Sequence, residues 1–328
     1  MRDNQARART GILRPFAAPV TTDPRIRVDA AHLRGLESAA TSLQFLPRVR
    51  AGSVLSGRHA SHLRGRGLDF EELRDYLPGD DIRSIDWKVT ARTGTPHVRV
   101  YTEERDRPTL LLVDQRMSMF FGSTLNMKSV TAAETAALTA FAILHQGDRV
   151  GGVVFGDDSI AEFKPVASRR GVDAFVAALA RANAALGPEN IIDNPISVNQ
   201  PLEAAARIAG NNALVIMISD FDGIDEKTRT LIGGIAQHND VILGLVTDPM
   251  ARAIGDDIDL VISDGTLQAP LNTQSAKVLR SVTQASAERL AGILEFERRL
   301  GVPVLPLDAG EATLPQLRRL LGVNTSRP

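Results

Sequence analysis

The chain has 328 residues, a net charge of −1, 43% hydrophobic and 23% charged residues, and no cysteine. That length suits one large domain or two ordinary ones, and the balanced charge gives no overall reason to expect nucleic acid or an acidic membrane as partner. Without cysteine there is no disulfide, no thiolate metal site and no cysteine nucleophile.

Charge is nevertheless unevenly spread. Residues 1–66 hold twelve Lys and Arg against four Asp and Glu, whereas residues 109–328 hold nineteen against twenty-five. Residues 1–28 carry Pro15, Pro19 and Pro24 and read as a flexible basic leader. A solvated tail is the simpler account of it; a nucleic-acid-binding arm is the alternative. The leader lacks the continuous apolar core of a secretory signal, and no segment approaches the roughly twenty apolar residues needed to span a bilayer. A cytoplasmic location is expected.

Residues 29–47 read as a short helix. Leu33, Leu36 and Ala40 share one stripe, Asp29 is placed to cap it, and Pro47 ends it. Residues 48–108 read as a β-rich subdomain, with β-branched and aromatic residues in short runs broken by Gly52, Gly57, Gly65, Gly67, Pro78-Gly79 and Gly94. Strands are expected over 54–57, 82–91 and 96–103. The tract from Gly67 to Lys88 is dense in opposite charges and holds the only tryptophan. Such alternation suits a surface laced with Arg–carboxylate pairs, and no third group singles out one carboxylate for catalysis.

From Thr109 the pattern becomes strand then helix, repeatedly. Strands are expected over 109–113, 149–155, 160–163, 213–219, 241–246, 259–263 and 302–306. Helices are expected over 129–145, 172–185, 201–209, 226–238, 274–300 and 314–321. The unbroken apolar runs at 109–113 and 213–219 suit strands buried on both faces. Strands alternating with long helices imply an α/β fold over 109–328: a central, mainly parallel sheet with helices on both sides.

Several common chemistries lack their motifs. There is no G-x-x-x-x-G-K-[ST], so no P-loop for a nucleotide; Gly65-Arg-Gly67 is a weak match to a dinucleotide turn. Neither H-E-x-x-H nor G-x-S-x-G occurs. His59 and His62 are close together but lie in the basic segment, where they suit a surface better than a ligand set. What remains is Asp114, Ser118 and Asp220 at the ends of two adjacent central strands, where open α/β sheets place their sites. A carboxylate and a hydroxyl there suit a hard cation that keeps some of its water. The spacing Asp-x-Ser-x-Ser would give one carboxylate and two hydroxyls; here the run is Asp114-Gln115-Arg116-Met117-Ser118. Asp222 adds a further charge nearby.

Asp114 and Ser118 resemble the first loop, and Asp220 the third, of the metal-ion-dependent adhesion site of a von Willebrand factor A domain. More closely, the chain resembles the bacterial family called domain of unknown function fifty-eight. The match runs from Arg66 through Asp69, Glu71, Arg74, the Pro-Gly-Asp80-Asp81 turn, Arg83, Asp86 and Trp87 to Arg92. It continues through residues 98–106, 111–122, 147–150 and 219–221.

The resemblance implies a von Willebrand factor A-like fold and a non-enzymatic adaptor or co-chaperone. Its partners would be a MoxR-type AAA+ ATPase and other von Willebrand factor A proteins, its task the maturation or assembly of a client. Magnesium at Asp114, Ser118 and Asp220 is the cofactor the pattern implies, with Arg116 standing where the pattern has an oxygen ligand. For a second-loop ligand, Ser197 and Asn199 are the nearest candidates. The interaction surface is expected to use Arg116 and Asp222 together with Asp69, Glu71, Arg74, Asp80, Asp81, Arg83, Asp86, Trp87 and Arg92. A metal-dependent hydrolase built on Asp114, Asp220 and Asp222 is the alternative, as is nucleic-acid binding through the leader.

Overall fold

Successive strand residues face opposite sides of a sheet, and the central strands of the main domain are buried on both sides. The computed structural model describes residues 23–43, 68–78, 80–103, 107–187, 192, 194–251, 259–263, 268–272 and 291–322, with only the backbone of 68–72, 99–103, 251, 259–263 and 268–272. In chain order the elements are α1 (Ala30–Gly35), α2 (Glu37–Ala40), β1 (Leu68–Asp75), a 3₁₀ turn (Ile82–Ser84), α3 (Trp87–Thr93) and β2 (His97–Glu103). Then come β3 (Thr109–Asp114), a 3₁₀ turn (Met117–Met119), α4 (Lys128–His145), β4 (Val150–Phe155), β5 (Ile160–Val166), α5 (Arg169–Ala185) and α6 (Asn199–Ala209). β6 (Leu214–Ser219), α7 (Glu226–Ala236), β7 (Asp240–Thr247), β8 (Asp259–Ser263), β9 (Gln268–Asn272), α8 (residues 291–300), β10 (Val304–Asp308) and α9 (Thr313–Leu320) complete the described elements. The chain divides into two compact units, one combining the amino-terminal stretch up to Phe45 with everything from Pro108, the other covering Leu46–Arg107.

The larger unit is an α/β domain on a six-stranded sheet in the order β10-β7-β6-β3-β4-β5. All neighbours are parallel except β5, an antiparallel edge strand on β4. Leu111 and Val113 of β3 face one core with Ile216 and Ile218 of β6, while Leu110 and Leu112 face the other with Val215 and Met217. On the first face lies α4, with α1, α2, α5 and α9 packed around it. Its residues Ala132, Ala133, Ala136, Ala137, Ala140 and Ala142 are all buried. The helix is buried on nearly all sides, small hydroxyl residues Ser129, Thr131, Thr135 and Thr139 included, and alanine lets both the sheet and the outer helices approach closely. On the second face α6, α7 and α8 contribute Leu202, Ala205, Ile232, Ile293 and Phe296. The mainly parallel sheet with helices on both faces is the architecture expected from the sequence. Among the described residues the hairpin β8–β9 pairs only with itself, and of the helix expected over 274–300 the described part is 291–300.

The amino-terminal stretch departs from expectation. Residues 1–22 lie outside the described residues, but 23–28 belong to the packed body rather than to a flexible leader. The Val28 side chain is buried, and its N–H donates to Asn183 Oδ1 at 2.8 Å. Arg27 donates to the Leu186 carbonyl at 2.5 Å and stacks over the Phe120 ring at 5.6 Å. Asp29 caps α1 by accepting from the His32 N–H at 2.7 Å, Leu33 and Ala40 are fully buried, and the helical stretch ends at Ala40, short of Pro47. Asn183 is the buried tie here: it binds the Val28 N–H and gives its amide to Gln115 Oε1 at 3.0 Å, while Gln115 donates to the Ser129 carbonyl at 2.9 Å. Asn183→Ala leaves two buried groups without partners, so it should cost about 1–3 kcal/mol. Urea unfolding would show that loss, and limited proteolysis should show earlier cleavage near residues 23–28.

The smaller unit has β1 and β2 as an antiparallel pair with an irregularity at Phe70/Glu72. The strand expected over 82–91 is instead a 3₁₀ turn followed by α3. Asp81 accepts from the Arg83 N–H at 2.9 Å, and Asp86 accepts from the N–H groups of Lys88 and Val89 at 3.0 and 3.2 Å. Two capping carboxylates start two helical turns and override the apolar run between them. Gly94, at φ 79°, closes α3 in the left-handed conformation that glycine adopts without strain. The β1 strand was not legible because its residues are mostly charged.

Candidate functional site

Neighbouring strands β3 and β6 run parallel, Val113 beside Ile218, so their carboxyl ends deliver Asp114 and the Ser219-Asp220 pair to one place. β3 leads across the sheet to β4 while β6 leads the other way to β7. The crevice between such divergent connections is where α/β sheets bind ligands.

Asp114 is fully buried and Arg116 nearly so. Arg116 folds back onto the carboxylate two residues earlier: its N–H donates to Oδ1 at 2.9 Å, its Nε reaches both oxygens at 3.1 and 3.2 Å, and its Nη2 donates to Oδ2 at 2.8 Å. The Ser219 hydroxyl donates to Oδ2 at 2.6 Å. The guanidinium also donates to the Asp222 carbonyl at 3.0 Å and lies over the Phe155 ring at 5.7 Å. Bidentate guanidinium–carboxylate contact of this kind is among the strongest polar pairings. Burial pushes the Asp114 carboxyl upward, and the charge and hydrogen bonds of Arg116 pull against it. Burial likewise works against the charge on Arg116, but Asp114, Asp220 and Asp222 outweigh it and keep the guanidinium protonated.

Asp220 has its own cation. Lys128, the first residue of α4, donates from Nζ to Asp220 Oδ2 at 2.6 Å. Oδ1 accepts from the Ser118 hydroxyl at 3.3 Å and from the Asp222 N–H at 3.0 Å. Burial opposes the charge here too, but Lys128, the Asp222 N–H and Arg116 outweigh it and hold the carboxylate below its usual range. The turn that sets these groups places Phe221 at φ 55°, a conformation rare for a bulky residue. Its fully buried ring and its N–H bond to Ser219 Oγ at 2.8 Å hold it there.

The loop from Arg116 to Met127 is clamped from both sides. Asp157, after β4, accepts from the Met117 N–H at 2.6 Å, and its carboxyl is pushed up by burial. Asp248, after β7, accepts from the Ser123 N–H at 2.8 Å and hydroxyl at 2.5 Å. The Asn126 N–H donates to the Ala309 carbonyl at 2.9 Å. A Cβ on Gly122 would come within 2.2 Å of the Asn126 carbonyl oxygen, so the tight fold of the loop needs glycine there. The result is a fixed platform that presents Phe121 and Leu125 to solvent, 39% and 37% exposed.

Of the expected metal ligands, Asp114, Ser118 and Asp220 do converge, but the donor set does not fit a divalent cation. Both oxygens of each carboxylate already accept from a neighbour, and two of those neighbours are cations. A divalent ion about 4 Å from one of them would meet roughly 8 kcal/mol of repulsion at an effective dielectric constant of 20. Among the described residues no three His, Asp or Glu side chains gather as a metal site. Asn199 does not serve as a second-loop ligand: its amide donates to Asp225 at 3.0 Å and its carbonyl accepts from the Thr228 hydroxyl at 2.7 Å, bracing the start of α7. Asp222 contributes its backbone to the site. Lys128, Ser219, Asp157 and Asp248 were missed in the sequence; the signal available was their position beside strand ends, shared by many structural residues.

In the smaller unit the expected interaction residues are spread over one short tract. Arg74 and Asp80 form a bidentate pair at 2.7 and 2.8 Å, which holds the Asp80 carboxyl down to about 2. Asp81 and Asp86 are caps, and Arg83 and Arg92 are exposed. Asp69 and Glu71 lie in β1, but their side chains lie outside the described residues. Leu77, Ile82 and Trp87 are 59%, 61% and 64% exposed.

A family model described as "Protein of unknown function DUF58" matches residues 72–290, about two thirds of the chain. The chain belongs to the DUF58 family. Among its relatives, the uncharacterized proteins Mb1516 of Mycobacterium bovis and Rv1480 of Mycobacterium tuberculosis are each 28% identical over 287 residues, covering 87% of this DUF58 chain and 89% of theirs. Among solved structures, the crystal structure of the SpRpn10 VWA domain aligns with 64% of this chain and 93% of its own at a TM-score of 0.36 and 10% identity. No helix among the described residues is long and apolar enough to cross a membrane.

Proposed function

We propose that this DUF58 protein is a non-enzymatic interaction module of the cytoplasm, an adaptor or co-chaperone for a MoxR-type AAA+ ATPase acting on a protein client. The observation that carries the reading is the state of the carboxylates at the crevice. Asp114 and Asp220 have every oxygen engaged by groups of the same chain, two of them cations, which disfavours a role as base, nucleophile or metal ligand. The same loop is rigid and holds two apolar side chains outward, which suits docking, since preorganised surfaces lose little entropy on association. The resemblance of the 66–92 tract supports the class of partner, and its exposed Leu77, Ile82 and Trp87 offer a second contact surface.

Co-purification with the MoxR-type ATPase tests this. The Phe121→Asp/Leu125→Asp variant should remain folded, since both side chains lie outside the two buried cores, and circular dichroism checks that it does. It should bind the ATPase about tenfold or more weakly, as expected where an apolar anchor is lost. Retention unchanged in this variant and in Ile82→Asp/Trp87→Ala would contradict both surfaces.

A further inference from the structure

We infer that the Arg116 guanidinium and the Lys128 ammonium are the resident cations of this crevice, standing in for a divalent ion and closing the site to metal. Three observations converge on this. First, three of the groups that an adhesion-type site offers to an ion stand close together: the carboxylates of Asp114 and Asp220 and the hydroxyl of Ser118, which reaches Asp220 Oδ1 at 3.3 Å. Second, each carboxylate holds one cationic side chain at ion-pair distance, 2.8 Å for Arg116 Nη2 on Asp114 and 2.6 Å for Lys128 Nζ on Asp220. Third, both cations are themselves largely buried, with 9% and 12% of their side-chain surface exposed. They are part of the built interior and not surface chains resting on it. Two positive charges facing two buried carboxylates balance the pair as one divalent ion would, so the loops are ordered without metal.

The arrangement also says what would reopen the site. Arg116 occupies the position at which the spacing calls for a hydroxyl. A serine introduced there would leave two carboxylates and two hydroxyls around one vacated volume, a set that magnesium or manganese can use with water completing the shell. Removing the Lys128 charge frees the second carboxylate.

The test is titration with manganese chloride, followed by calorimetry and thermal unfolding, on the wild-type protein and on Arg116→Ser/Lys128→Met. The wild type should give no binding heat, and its melting temperature should be the same in EDTA as in about 5 mM manganese, because nothing that binds the native state has been added. The double variant should melt lower in EDTA and recover by about 3 °C or more in manganese. Adding Asp114→Asn should abolish that recovery. Saturable binding by the wild type overturns the inference, as does a folded double variant that ignores manganese. If the double variant is unfolded in EDTA, recovery of its helical circular dichroism on adding manganese supports the inference. Failure of both it and Arg116→Ser alone to respond overturns it.

Discussion

Arg116→Ala should lower the stability of the protein by about 3–5 kcal/mol at neutral pH, because it leaves the buried Asp114 carboxylate without its counter-charge. Asp114 is fully buried and takes three of its four hydrogen-bond donor atoms from Arg116. Of these the backbone N–H would survive the substitution, whereas Nε and Nη2 would go. The cost arises from the stranded charge more than from the lost pair, so removing both partners should be far milder. In a double-mutant cycle with Asp114→Asn and Arg116→Met, the double variant should be more stable than the sum of the singles implies by about 2 kcal/mol or more. Urea unfolding followed by tryptophan-independent circular dichroism measures all four proteins, and additive losses would mean that the pair is not a unit.

Lys128→Met should cost about 2–4 kcal/mol for the same reason, with a distinctive dependence on pH. In the wild type the folded chain holds Asp220 below its usual range, so this group contributes stability that is fully present above its unfolded value near pH 4. That contribution is lost as pH falls through the lowered folded value. Without Lys128 the main opposition to burial is gone, and the folded carboxyl moves up. The variant then carries a penalty at neutral pH that protonation relieves as the solution is acidified. The stability gap between wild type and variant should therefore be widest near pH 7 and narrow steadily below pH 5 or so. A gap that stays constant with pH would assign the loss to packing of the lysine stem instead.

The fold was legible where periodicity speaks. The apolar runs 109–113 and 213–219 marked the two central strands, and the alternating helices implied the parallel sheet. Capping and pairing were harder to see. The segment 82–91 has the composition of a strand, yet Asp81 and Asp86 turn it into helical starts through hydrogen bonds to the next N–H groups. β1 has the composition of a charged surface, and only its partner β2 makes it a strand. At the site, Asp114, Ser118 and Asp220 could be placed from strand ends alone, and Arg116 stood out as a departure. The direction of the Arg116 side chain, toward the carboxylate and not outward, is a property of packing that no spacing rule contains. Lys128 was invisible for the same reason. As the first residue of a long helix it looks like any solubilising lysine, and only the packing of that helix on the sheet brings Asp220 within its reach.

The most direct test of a protein-docking face with built-in cations is a titration of the MoxR-type ATPase against the wild-type protein, run in magnesium and again in EDTA without nucleotide. The expected result is the same affinity in both buffers, with binding lost in Phe121→Asp/Leu125→Asp. A loss of about tenfold or more on chelation, some 1.4 kcal/mol of binding free energy, in the wild type would contradict it.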